Sequence, residues 1–192
     1  FLKHFDKLGY PVLVVEQEEG KKFNRGMLLN IGADLVDSEY VVFHDVDLLP
    51  KKSLLPYYEV FPESPIHIGK AWRTKYDSVG FIGGVISISQ KDLKTINGFP
   101  NNFWGWGGED DAMRVRMHHK SITILQPTLT EGFKELAHVD TKTKPEWKNM
   151  EKWEGMKLER AGKNKSGLSN LKYKIVKKEP YSDNAMKITV DI

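Results

Sequence analysis

Glu39-Tyr40-Val41-Val42-Phe43-His44-Asp45-Val46-Asp47 is the stretch that decides the fold class. Its first five residues form a short apolar run, aromatic and β-branched, of the kind that makes a buried strand. The strand runs directly into two carboxylates, and Pro50 stops it. Upstream, Pro11-Val12-Leu13-Val14-Val15 is a second such run, preceded by Gly9. Between the two, Asn24 predicts the N-cap of a helix through Leu28, Leu29 and Ile31 that ends near Val36. Downstream, Ile66-His67-Ile68 reads as a weak strand and Phe81 to Ser89 as a stronger one. Gly83-Gly84 inside the latter suggests close approach of a ligand or another backbone. Ser89 with Asp92 opens a short helix, closed by Asn97-Gly98. Glu109 to His119 is helical with acids in its first turn, and Ile122 to Leu125 reads as a strand. Trp147, Met150, Trp153 and Met156 recur every three residues, as on one helix face. Leu171–Val176 and Met186–Val190 read as two closing strands. Strands alternating with helices predict an α/β domain with a mostly parallel central sheet. Ligands of such sheets sit beyond the carboxyl ends of the strands, which directs attention to Asp45–Asp47.

Composition bounds the rest. The 192 residues suit one domain, and 40% hydrophobic with 29% charged residues is ordinary globular composition. Nine Phe, seven Tyr and five Trp are enough to fill a core and still furnish a binding site. No apolar run of about 18 residues predicts a membrane span. The chain opens on Phe1-Leu2-Lys3-His4 without a Met or a visible leader, and is read as an excised or truncated piece. A net charge of +3, from 29 basic and 26 acidic residues, is too balanced for a nucleic-acid binder. Lys is frequent from Lys142 to Lys178, but Glu146, Glu151, Glu154 and Glu159 interleave with it. That reads as a solvated face, with a polyanion binder as the last-ranked alternative. With no cysteine, disulfides, thiolate metal sites and cysteine nucleophiles are excluded, and a reducing compartment is favoured.

Three motifs carry chemistry. In Asp45-Val46-Asp47, residues two apart point the same way in an extended segment, so two like charges share one side. They fit either a divalent cation such as Mg²⁺ or Mn²⁺, or a polar strand end without function. Phe103-Trp104-Gly105-Trp106-Gly107-Gly108-Glu109-Asp110-Asp111 sets two large rings among three glycines and three acids at a helix start. Acids at a helix N-terminus stabilise it without any function. The Trp-Gly alternation, however, suits a mobile loop whose rings stack on sugar faces, with one acid left to take a proton. His138-Val139-Asp140 places an imidazole and a carboxylate where both could face one ion, or where the His is structural. His44 and His67 read as core histidines, and His118-His119 is assigned no role.

These residues, taken in order, resemble the beta-1,4-galactosyltransferases of glycosyltransferase family 7. The resemblance rests on Phe23-Asn24-Arg25, on His44 to Pro50, on Phe81-Ile82-Gly83-Gly84-Val85, and on Asn97 through Asp111. The tail from Leu168 through Tyr173 to Ile188-Thr189-Val190-Asp191-Ile192 is similar as well. Phe61-Pro62-Glu63 and His67 resemble the xylose-acceptor branch. The resemblance implies a GT-A-type nucleotide-sugar transferase fold, with residues 1–192 as one catalytic domain. It implies an inverting, Mn²⁺-dependent enzyme, Mg²⁺ being the other cation considered. The enzyme would move galactose or N-acetylgalactosamine from a UDP-sugar to a hydroxyl of a glycan or glycoconjugate acceptor in a β linkage.

Carried over position by position, Asp110 is the expected general base. Asp47, His138 and Asp140 are the expected metal ligands. Phe23, Arg25, Asp45, Val46, Phe81, Gly83, Gly84 and Trp106 are expected at the donor. Trp104, Gly107, Gly108, Glu109 and Asp111 are expected at the acceptor. Asp140 stands where the xylose branch has a His ligand, and Glu135 where the other branch has a Met, so either carboxylate could be the third ligand. The family's opening strand, with its Phe-Arg-x-Arg contact to the nucleotide, is expected before Phe1. Relatives usually work in the Golgi lumen and often carry disulfides. A cysteine-free chain points instead to a cytoplasmic, virus- or bacterium-like setting, with the Golgi lumen as the alternative. The missing nucleotide contact and altered ligands leave a second reading open, a non-catalytic sugar or nucleotide-sugar binding module.

Galactose-specific members carry Tyr at the Phe81 position, where its hydroxyl can block an N-acetyl group. With Phe81, UDP-N-acetylgalactosamine should compete with UDP-galactose as donor. Strict galactose preference in a competition assay would remove Phe81 as the determinant.

Overall fold

The computed structural model describes residues 1–72, 80–137 and 151–192. Helix α1 (Leu2–Leu8) ends on Gly9, whose φ of 74° lets the chain turn into β1 (Val12–Gln17). Helix α2 (Arg25–Leu35) starts where expected, with the Asn24 side chain accepting the Met27 N–H at 3.0 Å. It buries Met27, Leu28, Ile31 and Ala33. Strand β2 (Tyr40–His44) follows, then the short β3 (Leu48–Pro50) and α3 (Pro56–Glu59). Strand β4 (Val85–Ser89) is buried throughout, and Ser89 caps α4 (Gln90–Thr95) by accepting the Asp92 N–H at 3.0 Å. Helix α5 (Glu109–His119), β5 (Phe133–Glu135), α6 (Lys152–Arg160), β6 (Lys174–Ser182) and β7 (Ala185–Asp191) complete the described chain.

The class is α/β as expected, but the described strands form mixed rather than mostly parallel sheets. β1 pairs parallel with β7, and β7 pairs antiparallel with β6. β2 pairs antiparallel with β4, and β3 with β5. An apolar run reports burial on both faces, which a covered antiparallel strand also has, so composition could not set the direction. Among the described residues β1 and β2 pair on one edge each. A cavity of about 1920 Å³ takes in both strands and reaches Arg25, Asp45, Asp47 and Glu109–Asp111.

Three strand expectations are corrected. Phe81 to Gly84 is not strand, since regular pairing begins at Val85. Ile66 makes only isolated bridges, and Ile68–Ala71 is a 3₁₀ turn. Ile122–Leu125 pairs only through Leu125, while Ile122 and Ile124 pack against the core cluster of Phe43, Phe99 and Met113. The expected helix face is also corrected. Met156 is buried, but Trp153 is 66% exposed, and the inward positions of α6 are Gly155, Met156 and Glu159. Trp147 and Met150 lie outside the described residues.

Glu159 faces inward because of its partner. Arg116 on α5 is buried and makes a two-pronged pair with it, Nη2 to Oε1 at 2.7 Å and Nε to Oε2 at 3.0 Å. The same guanidinium donates to the carbonyls of Gly98 and Ser166. It therefore ties α5, α6 and two loops together. Removing one member of a buried pair strands the other charge. Glu159→Ala should lower stability by about 3–5 kcal/mol in urea unfolding, and a loss near zero would contradict this tie.

Candidate functional site

The site is built where β2 ends. Its register with β4 sets His44 opposite Val85, so Asp45 comes next to Gly84 and donates its N–H to the Gly84 carbonyl at 2.8 Å. Helix α2 supplies Arg25 from its first turn. Arg25 Nε and Nη2 both reach Asp45 Oδ1, at 3.0 and 2.7 Å. Arg25 Nη1 reaches Asp110 Oδ1 at 2.8 Å and approaches Glu109 Oε1 at 3.4 Å. One guanidinium thus joins three carboxylates from two further elements.

The acids of α5 are placed by the loop before it. Gly108 caps the helix with φ 103°, and a side chain there would meet the Phe103 ring at 2.7 Å. Two asparagines hold the loop against α2. Asn30 accepts the Phe99 N–H at 2.9 Å and donates to its carbonyl at 2.8 Å. Asn24 donates to the Asn101 carbonyl at 2.7 Å. The Gly105 N–H then donates to the Phe23 carbonyl at 2.7 Å, joining the Trp loop to the residue expected at the nucleotide. Trp104 is half-buried, while Trp106 is 47% exposed with the Lys152 ammonium 5.5 Å from its ring centre.

Electrostatics follow from this crowding. Burial, reinforced by Asp110, pushes Glu109 up to about 7. Burial raises Asp110 as well, against the opposing pull of Arg25. Burial alone would lower Arg25, but Asp110, Asp45 and Glu109 hold it charged. His44 is pushed down to about 4 by burial, and it bonds Tyr58 Oη and the Asp45 carbonyl, each at 2.8 Å. It is the core histidine expected.

Asp110, Glu109, Arg25, Asp45 and Gly83 come together. Gly83 lies so close to Asp110 that an added Cβ would stand 2.4 Å from Oδ2. It would also stand 2.5 Å from the Phe81 ring, so the loop folds Phe81 back over Gly83. Val46 is exposed at the apex of the turn between β2 and β3, and Asp111 is exposed at the cavity beside Asp110, whose carboxyl it helps to raise. Gly107 lines the cavity with Gly108. Asp47 closes the turn, and its carbonyl accepts the Leu136 N–H at 2.7 Å. The β3–β5 register sets Glu135 opposite Leu48, beside Asp47. His138 and Asp140 lie outside the described residues. Among those described, no three His, Asp or Glu side chains converge as a metal site, so of the expected ligands only Asp47 is on view, with Glu135 near it. The oxygen chemistry of that pair suits Mn²⁺ or Mg²⁺. Two features escaped the sequence. Lys152 over Trp106 lies 46 positions away in the chain, with no local signal. Arg25 as the bridge among the acids was hidden because pairing partners cannot be read from a single Arg.

Comparison with known proteins now bears on this arrangement. A family model described as the N-terminal region of glycosyl transferase group 7 matches residues 1–58. Another, described as the N-terminal domain of galactosyltransferase, matches residues 64–139. The chain belongs to the beta-1,4-galactosyltransferase family. It is 36% identical to human beta-1,4-galactosyltransferase 4 over 194 residues, covering 96% of this chain and 55% of that protein. It is 29% identical to Drosophila melanogaster beta-1,4-galactosyltransferase 7 over 195 residues, covering 99% of this chain and 60% of that one. The chain thus spans little more than half the length of these relatives. The crystal structure of the catalytic domain of the Drosophila enzyme in complex with xylobiose superposes with a TM-score of 0.81 at 27% identity. The match covers 100% of this chain and 84% of that one. A structure of a variant of that enzyme holds manganese, UDP-Gal and xylobiose. The GT-A-type fold expected from the resemblance stands.

One expectation is overturned. The cytoplasmic setting inferred from the lack of cysteine conflicts with the family, whose matched members are Golgi enzymes of animals. Lack of cysteine reports how the chain is held together, here by ion pairs and amide networks, and does not report its compartment. No helix among the described residues is long and apolar enough to cross a membrane.

The raised Glu109 has a measurable consequence. Its contribution to stability is fully present below its usual value of 4.5 and is lost as pH rises through about 7. Glu109→Gln stays neutral throughout. Its melting temperature should match that of the parent at about pH 4 and exceed it by a growing margin up to about pH 8. A difference that stays constant across the range would mean that another group titrates.

Proposed function

We propose that residues 1–192 act as the catalytic domain of an inverting, Mn²⁺-dependent beta-1,4-galactosyltransferase. It transfers galactose, or N-acetylgalactosamine, from a UDP-sugar to a hydroxyl of a sugar acceptor. The observation that carries this reading is Asp110, a carboxyl raised by burial, bonded to Arg25 through one oxygen and turned to the Gly83 backbone with the other. A glycine at that point lets the loop backbone come up against Asp110 and the Phe81 ring. A raised carboxyl is a better proton acceptor for a hydroxyl at neutral pH.

In the step itself the acceptor oxygen attacks the anomeric carbon from the face opposite UDP. The new C–O bond forms as the bond to the diphosphate breaks, and the acceptor proton passes to Asp110. UDP leaves with the bonding electrons. Asp47 and His138, with Asp140 or Glu135 as the third ligand, would hold Mn²⁺, which when bound offsets the charge on the departing diphosphate. Phe23, Arg25 and Asp45 line the donor end, and Val46 and Trp106 rim it. Trp104, Gly107, Gly108, Glu109 and Asp111 border the acceptor end. The xylobiose and UDP-Gal bound by the Drosophila neighbours support a sugar acceptor and this donor.

Asp110→Asn is the decisive variant. It should abolish transfer, read as UDP release with an acceptor panel, while UDP and Mn²⁺ binding stay nearly intact. Transfer at the parental rate would exclude Asp110 as the base. A parent that gives a thermal shift with UDP and Mn²⁺ but no turnover would instead favour a binding module.

A further inference from the structure

His67 is fully buried, yet it is not passive filling. Its Nε2 lies 2.8 Å from the Gly83 carbonyl oxygen. A carbonyl can only accept, so Nε2 carries the proton and donates. Nδ1 is then bare, and it finds no hydrogen-bond partner among the described residues. Burial holds the ring neutral, at about 4, which keeps one nitrogen as donor and one unprotonated. A buried nitrogen without a partner is costly, and a leucine or methionine would fill the space without that cost. The bond to Gly83 is what an imidazole adds.

The bond lands on the segment that defines the site. The Gly83 carbonyl also accepts the Val85 N–H at 3.1 Å, and the next carbonyl, of Gly84, accepts the Asp45 N–H at 2.8 Å. The Phe81–Gly84 loop is therefore clamped on one side by β2 and on the other by His67. His67 itself is pinned, its N–H donating to the Leu125 carbonyl at 2.8 Å. Phe81 stands edge-on to the His67 ring, at 5.9 Å between centroids. Gly69 keeps the anchor tight, since a Cβ there would meet the Gly83 oxygen at 2.8 Å and His67 Nε2 at 3.0 Å. On the far face of the same loop Gly83 meets Asp110.

We infer that His67 is a positioning residue, which through its bond to the Gly83 carbonyl sets the distance between the Phe81–Gly84 loop and Asp110. It touches neither base nor substrate, and it acts by fixing where a donor sugar lies against the proton acceptor. This rests on the transferase reading above. A misplacement near 1 Å at such a site costs rate rather than affinity.

The test compares His67→Leu, which fills the space but cannot donate, with His67→Gln, whose amide can reach the same carbonyl. Each is measured for transfer kinetics and for hydrogen exchange at the Asp45 and Val85 amides. His67→Leu should lower kcat by about 10- to 100-fold with little change in KM for the UDP-sugar, and exchange at both amides should quicken. His67→Gln should recover most of both. A parental kcat in His67→Leu, or a lower kcat with unchanged exchange, overturns the inference, as does a lowered melting temperature with no change in kcat. If the parent itself transfers no sugar, the transferase reading fails and the role in transfer falls with it. The exchange data then still decide whether His67 anchors the loop.

Discussion

The site depends on a single guanidinium. Arg25 enters from the first turn of α2 and binds Asp45 at the end of β2 and Asp110 at the start of α5. Without it, Asp45, Glu109 and Asp110 would be three acids crowded in one partly desolvated space, and like charges there repel strongly. With it, the acids can be brought close while Glu109 and Asp110 remain easier to protonate than free carboxyls. Burial, working against the pull of Arg25, keeps the two carboxyls raised and suited to proton chemistry. Arg25 also fixes the relative placement of a helix, a strand end and a second helix, which is the frame of the cavity.

Amide networks and tight glycines do elsewhere what disulfides do in other chains. Asn24 and Asn30 on α2 grip the backbone at Phe99 and Asn101, while Arg116 and Glu159 bind α5 to α6. Gly83 and Gly108 allow backbone to approach Asp110 and Phe103 more closely than any side chain would permit. These contacts bring the Trp loop to Phe23 and leave Trp106 exposed beside Lys152. Rigid loop roots with an exposed ring at the tip are what a surface needs if it is to cover a sugar.

Much of the fold was legible where local chemistry decides. The Asn24 and Ser89 caps, the acidic start at Glu109 and the apolar run into Asp45 each announce their element through bonds within a few residues. Legibility failed where partners are distant. Ile122–Leu125 has the composition of a strand, but its two isoleucines are spent on packing. Trp153 has the right spacing for a buried face, but Glu159 claims that face for Arg116. For the site, Asp110, Gly83 and Arg25 were readable as types of residue in a motif, whereas the bond of Arg25 to Asp110 was not. His138 and Asp140 stand outside the described residues, so the metal ligands remain as the sequence left them, with Asp47 beside Glu135.

By itself the sequence determined the α/β class, the order of the motifs and the family, because helix caps, apolar runs and the Trp-Gly-Trp-Gly-Gly-Glu-Asp-Asp block are local. Only the tertiary structure decided strand direction, which carboxylates share Arg25, and that His67 holds the loop facing Asp110. The last two depend on contacts between residues 16 to 85 positions apart, and strand direction on pairings such as that of Val12 with Ala185, which are farther apart still. Such contacts come from how elements pack, and no local propensity encodes them.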